Sequence, residues 1–278
     1  MRPLPASEQL LVLFVADLSQ RVSYSTIRTY LAGIRHLHIS EGVGNPLNGK
    51  LKLDLLLRGV KRSKPTRPNS RLPVTPMILR LIRKVLTENP NDEDNIMFWA
   101  ACCLGFSAFL RSGEFTVKSA QSFDPQWDLT PRDIAVDSIE RPTRMYVTIK
   151  GSKTDQTRQG ITLVVGRTGN DLCPLAAMLP YLVLRGNELG PLFRWKNQKG
   201  LAREELVSKL RQVLRRAGVE CSRYSGHSFR IGAATTAAAR GVSDSTIQTL
   251  GRWASDAFTR YIRIPRDNLA EISSLINR

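Results

Sequence analysis

Acidic residues are scarce in this chain: 24 Asp and Glu stand against 41 Lys and Arg in 278 residues, a formal charge of +17 and a pI near 10.3. Such an imbalance favours a polyanionic partner through long-range attraction and counterion release, with nucleic acid first and an acidic membrane surface second. Metal ligands are scarce too, with 3 His and 4 Cys. Cys102 and Cys103 are adjacent, Cys173 and Cys221 stand alone, and no C-x-x-C spacing occurs. No metal site is expected, and the cysteines read as buried thiols. His36 and His38 lie two apart on a predicted helix, where neighbours do not share a face, so surface placement is expected rather than a metal pair. No apolar run approaches the roughly 20 residues of a membrane span. The first residues also lack the apolar core and cleavage site of a signal peptide, so the expected location is intracellular, and nuclear if the source is eukaryotic.

What the chain does have is 42% hydrophobic and 23% charged residues, the balance of a globular protein, over a length that suits two domains. Residues 8–22 and 25–39 carry apolar side chains at helical spacing, and a third helix is expected over Leu51–Val60. These form an all-helical module, residues 1–64. Residues 65–73, the end of the run KRSKPTRPNSRLP, read as a basic exposed linker. The second domain, 74–278, opens on Thr75 as N-cap and Pro76 in the first turn. One helix is predicted through 95–117. The period then becomes alternating, and DIAVDS, RMYVTIKGSK and GITLVVGR read as three short strands. Helices return at 174–185, 202–217, 228–240, 243–250, 255–263 and 267–277. The expected fold class is mainly α with a small antiparallel β-sheet.

Residues 224–263, YSGHSFRIGAATTAAARGVSDSTIQTLGRWASDAFTRYIR, hold His227, Arg230, Arg252, Trp253 and Tyr261. Breaking a phosphodiester without a metal needs guanidinium groups on the nonbridging oxygens, a hydroxyl nucleophile and an acid for the leaving 5′ oxygen. Arg230 follows His227 by one helical turn, so both can face one phosphate. Singly, each residue has a plainer explanation. A His-x-x-Arg pair often caps a helix, a tryptophan often anchors a core, and a tyrosine with a pKa near 10 is a poor nucleophile without cationic neighbours.

Together, SGHSFRIGAA followed by G-R-W and YIR resembles the C-terminal motif of the tyrosine recombinases, the phage integrase family. The wording GRWASDAFTRYIR and SKTDQTRQG is similar to recombinases of DIRS- and Crypton-type mobile elements. AFLRSGEF resembles the family's first arginine box, which implies Arg111 as a phosphate clamp supported by Glu114. IKGSKTDQTRQG resembles its lysine loop, implying Lys153 as general acid, with Lys150 a weaker rival inside the strand. The resemblance further implies phosphate binding by Arg111 and Arg230, attack by Tyr261, and His227 and Trp253 completing the site. TIRTYLAGIRHLH is similar to the family's helical DNA-binding domain. Arg28, Arg35, Lys61, Arg62, Lys64 and Arg252 are the expected DNA contacts. One departure stands out: Trp253 precedes Tyr261 by one residue fewer than in Cre-type members. The implied activity is strand exchange on double-stranded DNA through a 3′-phosphotyrosine, by a homo-tetramer without cofactor. A type IB topoisomerase-like relaxing enzyme and a catalytically silent DNA-binding protein remain the alternatives.

Overall fold

The computed structural model describes residues 4–64, 71–151 and 159–263. The expected acid Lys153 and the expected helix 267–277 lie outside the described residues. The chain divides into two compact units, Met1–Ser70 and Arg71–Arg278.

The first unit is three helices, α1 (Glu8–Arg21), α2 (Tyr24–Ser40) and α3 (Leu51–Ser63). Ser7 and Ser23 cap the first two by accepting from Leu10 N–H and Thr26 N–H, each at 3.2 Å. The N-cap of α3 is Lys50, which offers no acceptor. Glu8 supplies it instead: its Oε1 accepts from Lys52 N–H at 2.8 Å and Leu53 N–H at 3.4 Å, tying α1 to the positive end of α3. Leu11 and Val15, Ile27 and Leu31, and Leu53 and Leu57 are pairs four apart that turn one face of each helix into the core. His38, expected on the surface, is 2% exposed in this core. Its Nε2 accepts from Ala6 N–H at 2.9 Å, leaving Nδ1 to donate to the Ile34 carbonyl at 2.7 Å. Both ring nitrogens are satisfied, which makes a buried imidazole tolerable.

The second unit comprises α4 (Pro76–Leu86), α5 (Glu93–Ser107), α6 (Ser112–Phe115), β1 (Ile134–Val136), β2 (Arg144–Ile149), β3 (Ile161–Gly166), α7 (Pro174–Arg185), α8 (Arg203–Arg216), α9 (Ser228–Ala239) and α10 (Asp244–Gly251). The strands form one antiparallel sheet in the order β1-β2-β3. The central strand buries Met145, Val147 and Ile149 on alternate positions. At the heart of the unit α5 is apolar all round, with Phe98, Ala101, Cys102 and Leu104 fully buried, and it packs against α4, α7 and α9. Gly232 allows α9 to lie against the chain entering the unit, since an added Cβ there would sit 1.9 Å from the Val74 carbonyl oxygen. The adjoining residues 71–74 are anchored, Leu72 N–H donating to Arg223 and Val74 N–H to Ser228.

Three local expectations fail here. The helix over 95–117 is two helices with a break at Ala108–Arg111. The segment 255–263 forms a 3-10 turn over Asp256–Arg260 rather than an α-helix. Cys221 is only partly buried, whereas Cys102, Cys103 and Cys173 are buried as expected.

Candidate active site

The break after α5 is a Schellman stop, in which the Leu110 N–H returns to Gly105 and the Phe109 N–H to Phe106. Glycine normally takes the left-handed position of this motif, but here Phe109 adopts φ 52°. The turn redirects the chain so that Arg111 caps α6. Glu114 then reaches back, accepting from Arg111 N–H through Oε2 and from its Nη1 through Oε1, both at 2.8 Å. Glu114 is 9% exposed, so this pair is far better shielded than a surface ion pair.

A second Schellman stop ends α10, where the Trp253 N–H returns to Gln248 and the Arg252 N–H to Thr249. Arg252 takes the left-handed position at φ 55°. Arg230, on the first turn of α9, is fully buried and joins the two stops. Its Nη1 donates to the Phe109 carbonyl at 2.5 Å and its Nη2 to the Gly251 carbonyl. Helix C-termini carry partial negative charge, so two of them hold this cation without a carboxylate. Burial, then the Arg111 charge, lower the Arg230 pKa to about 9, which leaves it a cation at neutral pH. The Trp253 ring lies 4.0 Å from its guanidinium carbon and the Tyr261 ring 5.6 Å. Trp253 and Tyr261 are 5.1 Å apart between centroids. Tyr261 follows the 3-10 turn, its carbonyl accepting from Thr235 Oγ at 3.2 Å, so α9 carries both Arg230 and the support for Tyr261.

Gly226 brings the His227 segment against α6: an added Cβ would be 2.5 Å from Ser112 Oγ. A cavity of about 430 Å³ opens there, lined by Arg111, Glu114, Trp127, Gly151, Arg203 and His227 among others. His227 Nδ1 is buried without a hydrogen-bond partner among the described residues. Burial first, and then Arg71, Arg203, Arg230 and Arg111, push its pKa down to about 4. The imidazole is therefore neutral at pH 7, in a field set by arginines. Among the described residues no cluster of His, Cys, Asp and Glu could hold a metal ion.

No protein-family model matches the chain. An integrase/recombinase xerD homolog of Selenomonas ruminantium is 24% identical over 270 residues, covering 93% of this chain and 74% of that protein. XerH site-specific recombinase, in a post-cleavage complex with a palindromic difH substrate, superposes with a TM-score of 0.62 at 13% identity, over 98% of this chain and 70% of that one. The Tn1549 transposon integrase in complex with transposon right end DNA gives 0.58 at 14% identity, over 98% and 86%. A lambda integrase dimer bound to a COC′ core site gives 0.55 at 13%, over 93% and 65%. The fold is that of the tyrosine recombinases.

Within this fold Arg111, Glu114, His227, Arg230, Trp253 and Tyr261, drawn from segments more than 100 residues apart in the chain, come together. Lys153 lies outside the described residues. Its rival Lys150 follows β2 rather than lying in it, and its ammonium is committed to Asp133 at 2.7 Å and to the Pro125 and Asp128 carbonyls at 2.8 and 3.1 Å. Arg28, Arg35, Lys61 and Arg62 are exposed. Lys64 is half-buried and donates to the Val22 carbonyl at 3.0 Å, closing the end of α1. Arg252, expected as a DNA contact, has a side chain only 12% exposed, with its Nη2 2.7 Å from Glu114 Oε2. Arg71 and Arg203 are further cations of the site that the sequence reading missed. The first sat in the expected linker and the second at a helix start, and neither position carries a local signal.

No helix of the described residues is long and apolar enough to cross a membrane.

Proposed function

We propose that this chain is a site-specific DNA recombinase that cleaves and rejoins strands through a 3′-phosphotyrosine. The observation that carries the reading is Arg230: a fully buried guanidinium held by two neutral carbonyls, under the rings of Trp253 and Tyr261, with Arg111 and His227 close by. A cation kept without a carboxylate retains its charge for an oxyanion. In the reaction proposed, Arg111 and Arg230 hold the nonbridging oxygens of the scissile phosphate. The Tyr261 oxygen bonds to phosphorus, its proton passing to the neutral His227 imidazole, and the bond from phosphorus to the 5′ oxygen breaks. Lys153, in the role its motif implies, protonates the departing 5′ oxygen. The bond count is conserved, so a 5′ hydroxyl can reverse the step and rejoin a strand. The 24% identity to an integrase/recombinase and the likeness to solved recombinase–DNA complexes support carrying DNA over as the substrate. Assembly as a tetramer on paired sites, contacts through Arg28, Arg35, Lys61 and Arg62, and kinship with DIRS- and Crypton-type elements belong to the same proposal and rest on motif wording.

The test is covalent capture. Nicked duplexes with a randomised core are incubated with the full chain, resolved under denaturing conditions, and the adducted residue is mapped by mass spectrometry. The expected result is an adduct on Tyr261 that Tyr261→Phe abolishes while duplex affinity is kept. An adduct on another tyrosine, or none from any pool, would overturn the reading.

A further inference from the structure

Trp127 lines the cavity beside Arg111, Arg203 and His227, yet the proposed reaction gives it no task. It is 42% exposed. A single exposed indole is ordinary on a protein surface; the way this one is held is not. Residues 124–128 form a turn closed on itself. The Trp127 and Asp128 N–H groups donate to the Asp124 carbonyl at 3.0 and 2.8 Å. Gln126 N–H donates to Asp124 Oδ1 and Asp124 N–H to Asp128 Oδ2, both at 2.9 Å. Lys150, itself fixed by Asp133, clamps the Pro125 and Asp128 carbonyls on either side of the tryptophan. Gly151 lets the chain leaving β2 come close to the ring, since an added Cβ would lie 3.0 Å from Trp127 Cζ3. Ordering such a turn costs conformational entropy, and holding an indole half in water returns little of it. A ligand that covers the ring would return more.

The cavity indicates which ligand. At about 430 Å³ it falls in the range of small-molecule sites. Arg111 and Arg203 supply cations to it, and Trp127 with Gly151 supplies an apolar surface. Asp128 lines it too, but its Oδ2 is engaged by its own turn. Cations for a backbone beside a ring for a base are the composition that takes single-stranded nucleic acid. Tyr261 is not among the described residues lining this cavity. In an in-line displacement the leaving oxygen departs opposite the nucleophile, so the space away from the tyrosine belongs to the leaving strand. We infer that Trp127 stacks on the terminal base of the strand released with the 5′ hydroxyl, holding that end near the phosphotyrosine until it is rejoined or exchanged. This deepens the recombinase reading and rests on it. The released end must unpair before it can be joined elsewhere, which bares the face of its base. Every base has such a face, so the contact supplies affinity without selecting sequence. The competing role is structural: Trp127 merely packs on Gly151 and supports the end of β2. A support of that kind is indifferent to whether the strand carries a terminal base.

The experiment uses the full chain labelled with 5-fluorotryptophan. Fluorine NMR then reports the 4 tryptophans separately, and the Trp127 signal is the one that Trp127→Phe removes. In the first arm the probe is thymidine 3′-phosphate, a small molecule with a 5′ hydroxyl, a base and a phosphate. Its abasic analogue and sodium tungstate serve as controls. The Trp127 signal is expected to shift saturably with the nucleotide and with neither control. A signal that stays still, or moves equally with the abasic analogue or tungstate, would overturn the inference. In the second arm the Tyr261 adduct is formed on a duplex whose leaving piece is short enough to diffuse away, and 5′-hydroxyl strands are added. Trp127→Ala should raise the strand concentration for half-maximal rejoining by about 5- to 150-fold, the scale of one lost stacking contact. The maximal rate should hold, because the contact is made before and during the step alike. On a strand lacking its terminal base, variant and wild type should agree. The same loss with and without that base, or a fall in maximal rate alone, would assign Trp127 to supporting β2. Should Trp127→Ala disturb the other tryptophan signals, Trp127→Leu, which fills the contact with Gly151 but has no π-face, is held to the same outcomes. A wild type that forms no Tyr261 adduct would sink the recombinase reading and remove the second arm, while the first still decides whether Trp127 takes a base.

Discussion

Gly251→Ala should destabilise the second unit even though helix propensity predicts the reverse. Gly251 is the last residue of α10, and replacing a helical glycine by alanine ordinarily gains about 1 kcal/mol. A methyl group here, however, would lie 1.5 Å from Trp253 Cζ3 and 2.0 Å from its Cε3. Carbon atoms rest about 3.5–4.0 Å apart, so the indole must retreat by about 2 Å. It has little room, with the Arg230 guanidinium at 4.0 Å on one side and the rings of Tyr261 at 5.1 Å and Phe258 at 6.3 Å beside it. Overpacking costs about 1–3 kcal/mol, and a disturbed buried cation–π contact adds up to about 2. Set against the propensity gain, the net loss centres on about 2 kcal/mol and reaches about 4 at most, a fall in Tm of about 4–8 °C at the central value for a unit of this size. All four tryptophans, at 99, 127, 195 and 253, lie in this unit, so tryptophan fluorescence during thermal or urea unfolding reads it selectively. The control is Gly33→Ala in α2, where an added Cβ meets nothing within 4 Å; it should stabilise the first unit by about 0.5–1 kcal/mol. If Gly251→Ala is as stable as the wild type, the indole does not lie against the last turn of α10, and the ring platform over Arg230 falls with it.

His227, with a folded pKa near 4 against about 6.5 unfolded, is protonated first in the unfolded chain. Stability should therefore fall as pH drops from about 6.5 towards 4, His227→Gln should flatten that stretch of the curve, and an imidazole found by NMR to titrate at or above 6.5 without added anion would refute the placement. His38→Phe keeps a ring in the first core but strips the Ala6 N–H and the Ile34 carbonyl of a partner. The expected loss is about 1–3 kcal/mol in the far-ultraviolet dichroism transition of the first unit, with the tryptophan-reported transition unmoved. Replacing the bridging 5′ oxygen by sulfur should rescue cleavage by Lys153→Ala, because a thiolate leaves without an acid. Lys150→Ala, which breaks an ion pair and two carbonyl contacts, should lose stability and gain nothing from sulfur; the opposite pattern would exchange the two roles.

Much of this was legible in the sequence because it is written in repetition. Pairs of apolar residues four apart mark the helices of the first unit, serine and threonine caps mark their starts, and alternation marks β2. What escaped was set by tertiary contact. The α5 helix was extended through Phe109 because apolar periodicity continues across it, and no glycine announces the left-handed turn. The bond from Arg252 to Glu114 was hidden for the same reason: an arginine in a glycine position gives no sign of which way it points. His38 did carry a signal of its own. It falls on the stripe of Ile27, Leu31 and Ile34, and was misjudged by pairing it with His36 instead. The acidic partner of Arg111 was readable at helical spacing, but its second bond to Arg252, 138 residues away, was not.

The two left-handed turns explain why the site is built from helix ends at all. A carboxylate opposite Arg230 would satisfy its donors and cancel the charge a phosphate needs, while a fully buried guanidinium without any acceptor would not stay in place. Main-chain carbonyls at helix C-termini lie between these limits, since they accept hydrogen bonds and carry only partial negative charge. Bringing two such ends to one guanidinium requires both helices to stop abruptly with their last carbonyls turned the same way. Phe109 and Arg252 do this at a strain of about 1–2 kcal/mol each, which hydrogen bonds to a charged group, about 1.5–3 kcal/mol apiece, offset. Glycine at either position would relieve the strain and lose what the side chain supplies: the Phe109 ring, edge-on to Trp253 at 6.5 Å, and the Arg252 fork on Glu114. The backbone strain and the charge surplus are therefore two aspects of one arrangement, a socket left electropositive until an oxyanion enters it.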